Sequence, residues 1–190
     1  VRFGAGRLGQ AAPLLLSVPH AGTELLHVGA QVRSAWLATL DADWWVDRLY
    51  DFALELDATI VRTSISRTVI DVNRDPSSKS LYPGMATTEL VPTTTFDGVP
   101  LYEADRMTGE AEQQARRAAY FDPYHATPRA ELARLRALHD SVVLYDAHSI
   151  RSFVPRLFDG ELPLFNIGTY EGRSCAERLT EAVEATCADF

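Results

Sequence analysis

The chain reads as an α/β domain in three layers, a mostly parallel mixed sheet flanked by helices. Two observations predict this class. Short apolar runs, Leu14-Leu15-Leu16-Ser17-Val18 and Val142-Val143-Leu144-Tyr145, each end in a polar segment bearing a histidine. Runs of that length bounded by polar residues are the signature of buried strands. Between them lie long stretches whose apolar residues recur at spacings of three and four, the helical period. The 190 residues, 46% hydrophobic and 23% charged, suit one α/β domain with a sizeable core.

Bulk properties exclude several function classes. A net charge of -8 argues against a nucleic-acid or acidic-membrane surface. No apolar run approaches the roughly 20 residues needed to span a bilayer, and the N-terminus lacks the layout of a signal peptide. Cys175 and Cys187 flank a helical stretch, so no disulfide framework is expected. The expectation is a reduced, cytoplasmic protein acting on a small molecule.

Residues 1–12 read as a flexible leader. Gly4-Ala5-Gly6-Arg7-Leu8-Gly9 matches a dinucleotide fingerprint literally, but no strand precedes it. The first core strand is 14–18, and His20 follows it in a turn containing Gly22. Glu24 lies one turn further on, as a metal ligand or a helix-entry acid. From Val32 to Leu56 the pattern is helical, with Trp44, Val46, Leu49, Tyr50, Ala53 and Leu56 on the apolar side. Asp41 and Asp43 stand near its start, as caps or as carboxylates reaching towards His20.

Residues 57–63 form a second predicted strand and 66–76 a third, running into a polar turn at Asn73-Arg74. An amide beside a guanidinium fork suits a carboxylate substrate; a turn asparagine with an arginine bridging to Asp71 or Asp75 is the plainer alternative. Residues 76–109 make one long excursion, expected as an ordered lid or specificity loop because Tyr82, Phe96 and Tyr102 punctuate it. Lys79 lies within it. Two helices are predicted, 108–120 and 124–139, punctuated by Asp122-Pro123 and with His125 and His139 solvent-side or capping. A short strand over 163–169 and a helix over 174–188 close the chain.

The chemistry concentrates at Asp146-Ala147-His148, which ends the strand over 142–146, predicted to be central. Open α/β sheets bind ligands at the carboxyl ends of their strands. His20 occupies the equivalent place on the first strand. Two strand-end histidines together point to a shared site, whereas either alone would be a loop residue.

The ordered motifs carry a resemblance that no single one does. Ser17-Val-Pro-His20-Ala-Gly-Thr, Asp43-Trp with Val-Asp-Arg-Leu-Tyr-Asp, Ser66-Arg67 and Asp71-Val-Asn73-Arg74 come first. Ser80-Leu-Tyr-Pro-Gly84, Pro92-Thr-Thr-Thr-Phe-Asp-Gly98, Tyr124-His125, Asp146-Ala-His148-Ser-Ile-Arg151-Ser and Asn166-Ile-Gly-Thr follow. From about Pro13 onward the chain resembles the N-formylglutamate amidohydrolase (deformylase) family, itself similar to zinc-dependent exopeptidases and aspartoacylases. The resemblance implies zinc, or another divalent metal, on His20, Asp43 and His148, with Glu24 as the alternative carboxylate. It places Asp146 in the catalytic group as the residue supporting the metal histidine. Asn73, Arg74 and Arg151 would bind the carboxylates of N-formyl-L-glutamate, hydrolysed to formate and L-glutamate in histidine breakdown.

Two departures accompany the resemblance. The family's C-terminal glutamate, a general base or proton shuttle, has no counterpart after Asn166: Glu171 falls in a turn, and Glu177, Glu181 and Glu184 on the closing helix. The C-terminal part of the family domain is therefore expected to be absent. Trp45 stands where a histidine is expected. Two further readings follow: a weakly active or inactive paralogue that binds a metal and a small dicarboxylate, and a deacylase of another N-acyl amino acid.

Overall fold

The computed structural model describes residues 2–3, 11–77 and 88–190. Gly4 to Gly9, Lys79, Tyr82 and the Ser80–Gly84 motif lie outside the described residues. The chain divides into two compact units, Val1–Ile150 and Arg151–Phe190.

The first unit is built on a four-stranded sheet of order β1-β3-β2-β4. Its strands are β1 (Arg2–Phe3), β2 (Leu14–Val18), β3 (Thr59–Arg62) and β4 (Val143–Asp146). β2 pairs in parallel with both β3 and β4, and β1 adds antiparallel to β3. The expected leader thus contributes two residues to the sheet edge. Alternation along β2 and β3 sorts their side chains to opposite faces. Leu15 and Val61 join Ile70, Val72, Phe121, Tyr124 and Leu135 on one face. Leu16, Val18 and Ile60 join Val46, Ala53, Ala58 and Ala147 on the other. Helical segments therefore cover both faces, the expected three layers.

β4 departs from expectation. Among the described residues it forms the edge of the sheet, not its centre, and all four of its residues are exposed. Its apolar run is matched by a neighbour on one side only, since β2 takes the central place.

The expected helix over 32–56 is broken. It becomes α1 (Ala35–Thr39), α2 (Val46–Leu49) and a 3-10 turn Asp51–Leu54. Ser34 caps α1 by accepting from the Leu37 N–H. Between the helices the backbone turns aside: the Asp43 N–H donates to the His20 carbonyl at 3.0 Å, and Trp45 adopts a left-handed φ of 67°. Val46 and Ala53 are buried, but Leu49 and Leu56 of the predicted stripe stay exposed.

The predicted third strand, 66–76, is absent. This buried segment turns on itself, with the Val69 N–H donating to the Ser66 carbonyl and the Asp71 N–H to the Leu90 carbonyl. Residues 88–109 bury Leu90, Val91, Phe96, Leu101 and Tyr102. Pro123 does not end the following helix. α3 (Glu110–Arg116) passes through a π-turn, Arg117–Phe121, into α4 (Asp122–Arg136). A π-turn opens the space that a proline ring otherwise denies to the carbonyl four residues back. His125 and His139 both turn inward, onto the carbonyls of Val72 and Ala11.

The second unit holds α5 (Glu177–Cys187) and a series of turns around the buried Val154. The strand expected over 163–169 does not form; Leu164, Phe165 and Ile167 are exposed and no ladder partner lies beside them among the described residues. No helix among the described residues is long and apolar enough to cross a membrane.

Candidate functional site

β2 and β4 run side by side in the same direction, so their carboxyl ends deliver His20 and His148 to one place. The two rings lie 4.9 Å apart between centroids. The backbone turn at 42–45 brings Asp43 between them. Candidate ligand atoms of His20, Asp43 and His148 all fall within 4.8 Å of one another. His20 and Asp43 are buried, at 3% and 2% exposure, while the His148 side chain is one-third exposed.

The hydrogen bonds decide what each ring can offer. His20 Nε2 donates to Asp71 Oδ1 at 2.7 Å. With that nitrogen protonated, Nδ1 carries the lone pair. His20 Nδ1 is buried, has no hydrogen-bond partner among the described residues, and faces Asp43 Oδ2 at 3.8 Å. Burial, then the nearby Arg67 guanidinium, lowers the His20 pKa and keeps the ring neutral. An unpartnered buried lone pair beside a carboxylate oxygen is a donor pair suited to a cation, and the carboxylate behind the histidine fixes its tautomer.

His148 behaves differently. Nδ1 lies 2.9 Å from Asp43 Oδ2, and Nε2 lies 3.0 Å from Asp146 Oδ2. Burial disfavours its charge, but the hydrogen bonds to Asp146 and Asp43 outweigh this and push the pKa up to about 9. Asp146 moves the other way: burial would raise it, yet the His148 bond leaves it lowered. The Asn73 amide lies 3.0 Å from His148 Nε2, and the Ser149 N–H donates to Asp43 Oδ2 at 3.2 Å.

Asp71 is the hub that sequence reasoning missed. It is fully buried and accepts from His20, from Arg67 Nη2 at 2.6 Å and from the Asn73 N–H at 2.9 Å. Arg74 Nε stands 3.5 Å from it and donates to Thr88 Oγ1 at 2.8 Å. Burial opposes the Asp71 charge, but the Arg67 guanidinium and then His20 hold its carboxyl well below the usual carboxylate range. The available signal was an acid inside the apolar run Val69-Ile70-Asp71-Val72, since a buried charge must be paired. Arg67, itself 6% exposed, is the partner that the sequence reading quoted without assigning a role.

Of the remaining candidates, Glu24 is exposed in an isolated bridge to Ile65 and lies outside the histidine cluster. Arg151 belongs to the second unit. Beneath the site, Ser17 Oγ and the Tyr124 hydroxyl are 2.8 Å apart, tying β2 to α4.

A parallel α/β sheet whose adjacent strand ends present two imidazoles and a carboxylate, braced by a buried Asp–Arg network, defines a class of domain built around a candidate metal centre. Within it the chain belongs to the N-formylglutamate amidohydrolase family, which residues 12–190 match. It is 48% identical over 177 residues to an N-formylglutamate deformylase of Pseudomonas aeruginosa, covering 93% of this chain and 66% of the relative. It is 44% identical over 191 residues to one of Pseudomonas putida, covering 98% of this chain and 68% of the relative. The chain thus spans about two thirds of the length of these curated relatives. A crystal structure of N-formylglutamate amidohydrolase from Ralstonia eutropha superimposes with a TM-score of 0.62 at 25% identity, over 78% of this chain and 55% of that one.

Proposed function

We propose that this chain is a zinc-dependent amidohydrolase that releases formate and L-glutamate from N-formyl-L-glutamate, the cleavage that closes a route of histidine breakdown. The observation that carries the metal is the buried, unpartnered Nδ1 of His20 facing Asp43 Oδ2. Two imidazoles and one carboxylate are a donor set typical of catalytic zinc, which keeps a fourth position open. The reaction is carried over from the names of the relatives, and the site's chemistry agrees with it.

His20, Asp43 and His148 would hold the metal, which when bound supplies Lewis acidity to a carbonyl and to water. Asp71 holds His20 in the tautomer whose Nδ1 is free, and Asp146 does the same for His148 from its Nε2 side, as a positioning residue. For His148 to become a ligand its Nδ1 proton, shared with Asp43, must leave. Asn73 and Arg74 bind a substrate carboxylate. Among the described residues the Arg74 guanidinium, partly exposed, is tied to Thr88 and Asp71 through Nε, and its outer fork is the part proposed to take the carboxylate. Arg151 is assigned to the same anion on its position in the Asp146–Arg151 stretch only. The similarity to zinc-dependent exopeptidases belongs to this same reading.

The test is formate release from N-formyl-L-glutamate by the purified chain, with and without chelator, beside a calorimetric zinc titration of the wild type and His148→Ala. One tight zinc site lost in the variant, with chelator-sensitive formate release, is expected. Absence of zinc binding refutes the metal centre. Zinc binding without formate release refutes the hydrolase and leaves a protein that binds a metal.

A further inference from the structure

Two buried hydroxyls beneath the site tie β2 to α4, and they do more than packing requires. Ser17 lies in the central strand β2, and Tyr124 of α4 belongs to the cluster of Leu15, Val61 and Leu135. Both residues are buried, and burying a hydroxyl costs free energy unless it is paired. Their oxygens lie 2.8 Å apart. A phenylalanine over an alanine would fill this contact with neither group. What the hydroxyls add is directed at β4, where Ser17 is the register partner of Asp146. Residues level with one another on adjacent strands project their side chains to the same face.

The direction of the hydrogens follows from the groups. Burial raises the Tyr124 pKa well above that of a free phenol, and the nearby Asp146 charge adds to this against the Ser17 bond. The phenol therefore keeps its proton. Burial opposes the charge on Asp146, but the bond to His148, the charge of His148 and then a hydrogen bond from Ser17 lower its pKa. An ionised carboxylate only accepts, and a serine hydroxyl carries one hydrogen. Ser17 thus gives its hydrogen to Asp146 and receives that of Tyr124 on its oxygen. The row ends where the His148 Nε2 hydrogen meets Asp146 Oδ2 at 3.0 Å, and each bond in such a row polarises the next. Asp146 needs this support, because its side chain is 39% exposed and water competes for it.

We propose that Ser17 and Tyr124 are positioning residues of the metal site: Tyr124 aims the Ser17 hydroxyl, and Ser17 fixes the Asp146 carboxylate against His148 Nε2, so that His148 presents Nδ1 to the metal. This rests on the reading of His20, Asp43 and His148 as metal ligands.

The experiment is a calorimetric zinc titration of wild type, Ser17→Ala, Tyr124→Phe and Asp146→Ala, with Ser17→Ala also made in the Asp146→Ala background. Removing the outer partner of a metal-binding histidine weakens binding by about 10–100-fold, which is the loss expected for Asp146→Ala. Ser17→Ala should cost about tenfold and Tyr124→Phe about threefold. In the Asp146→Ala background, Ser17→Ala should cost less than about twofold, because no carboxylate is left to position. A hydroxyl that only braced the fold would cost the same in both backgrounds. Leu135→Ala, in the same cluster and without a hydroxyl, controls for lost packing. NMR of the His148 ring nitrogens in the metal-free chains, assigned with His148→Ala, gives a second readout. Their shifts in Ser17→Ala and Tyr124→Phe should move towards those of Asp146→Ala and stay in place in Leu135→Ala. Zinc binding within about twofold of wild type in both hydroxyl variants, or equal losses with and without Asp146, overturns the proposal. Should wild type bind no zinc, the metal reading falls instead. The ring-nitrogen shifts then decide this one, and shifts unchanged from wild type in both hydroxyl variants overturn it.

Discussion

Asp71→Asn tests the organisation of the site more directly than any substitution of a ligand. Asparagine keeps an oxygen for the His20 and Asn73 N–H groups, removes the charge, and sets an NH₂ against the guanidinium of Arg67. Two effects of different size follow. Arg67, 6% exposed, loses the partner it holds at 2.6 Å, and breaking a buried pair in this way costs about 3–5 kcal/mol. His20 loses the carboxylate that fixes its tautomer, and loss of such a partner weakens metal binding by about 10–100-fold, equivalent to roughly 1.4–2.7 kcal/mol. The stability effect is the larger, so the two need separate assays. Urea unfolding of the zinc-free chain reads the first, and zinc titration of the folded variant at low temperature reads the second. Acid adds a signature. The folded-state carboxyl of Asp71 is depressed, so its contribution to stability is present above the unfolded value of about 4 and is lost as pH falls below that. Wild type should therefore lose stability below about pH 4 more steeply than Asp71→Asn. A folded variant that binds zinc within about threefold of wild type would refute the role given to Asp71 and weaken the case for His20 as a ligand.

Other outcomes follow from the same geometry. Because the His148 pKa is raised to about 9, zinc must displace a proton at neutral pH. Affinity should rise with pH by up to about tenfold per unit until pH 9, with up to one proton released per zinc in calorimetry across buffers of different ionisation enthalpy. The metal-free chain should show the opposite trend, losing His148's contribution to stability as pH climbs from about 6.5 through 9. Gly22→Ala should displace the His20 loop, since an added Cβ would lie 2.4 Å from the Ser64 carbonyl carbon. A loss of about 1–3 kcal/mol with weakened zinc binding is expected, and Gly109→Ala, where nothing lies within 4 Å, is the control. Leu135→Ala removes a fully buried side chain at the contact of α4 with the sheet. It should cost about 2–5 kcal/mol in urea unfolding and leave zinc affinity unchanged.

Local signals in the sequence were read well, and non-local ones were not. Leu14–Val18 and the helix over 122–136 declare themselves through period and composition, which belong to the segment itself. The rank of β4 in the sheet does not. Val142-Val143-Leu144-Tyr145 is as apolar as β2, and only the pairing of β2 with strands on both sides makes one central and the other an edge. Over 66–76, β-branched residues suggest a strand, but the Asp71 N–H goes to Leu90, a partner nineteen positions away that no pattern announces. His20 and His148 were paired from their equivalent places at strand ends, and parallel register does bring them within ring contact.

The one strongly periodic stretch that was misread is the most informative. Residues 32–56 carry enough helical period to predict one continuous helix, yet the chain leaves it between Leu40 and Val46. A continuous helix would spend the Asp43 N–H on a carbonyl four residues back. Here that N–H is given to the His20 carbonyl, which locks the carboxylate-bearing segment to the histidine loop. Return to helix at Val46 then requires Trp45 at a φ of 67°, a conformation costing a residue with a side chain about 1–2 kcal/mol. Local propensity opposes this geometry, and the compensation lies in the cluster it completes: Asp43 Oδ2 receives His148 and the Ser149 N–H and faces His20. Strained backbone of this kind gathers at functional sites. Asp43 was named from the resemblance, but the break in the helical pattern that carries it to the two histidines was not foreseen.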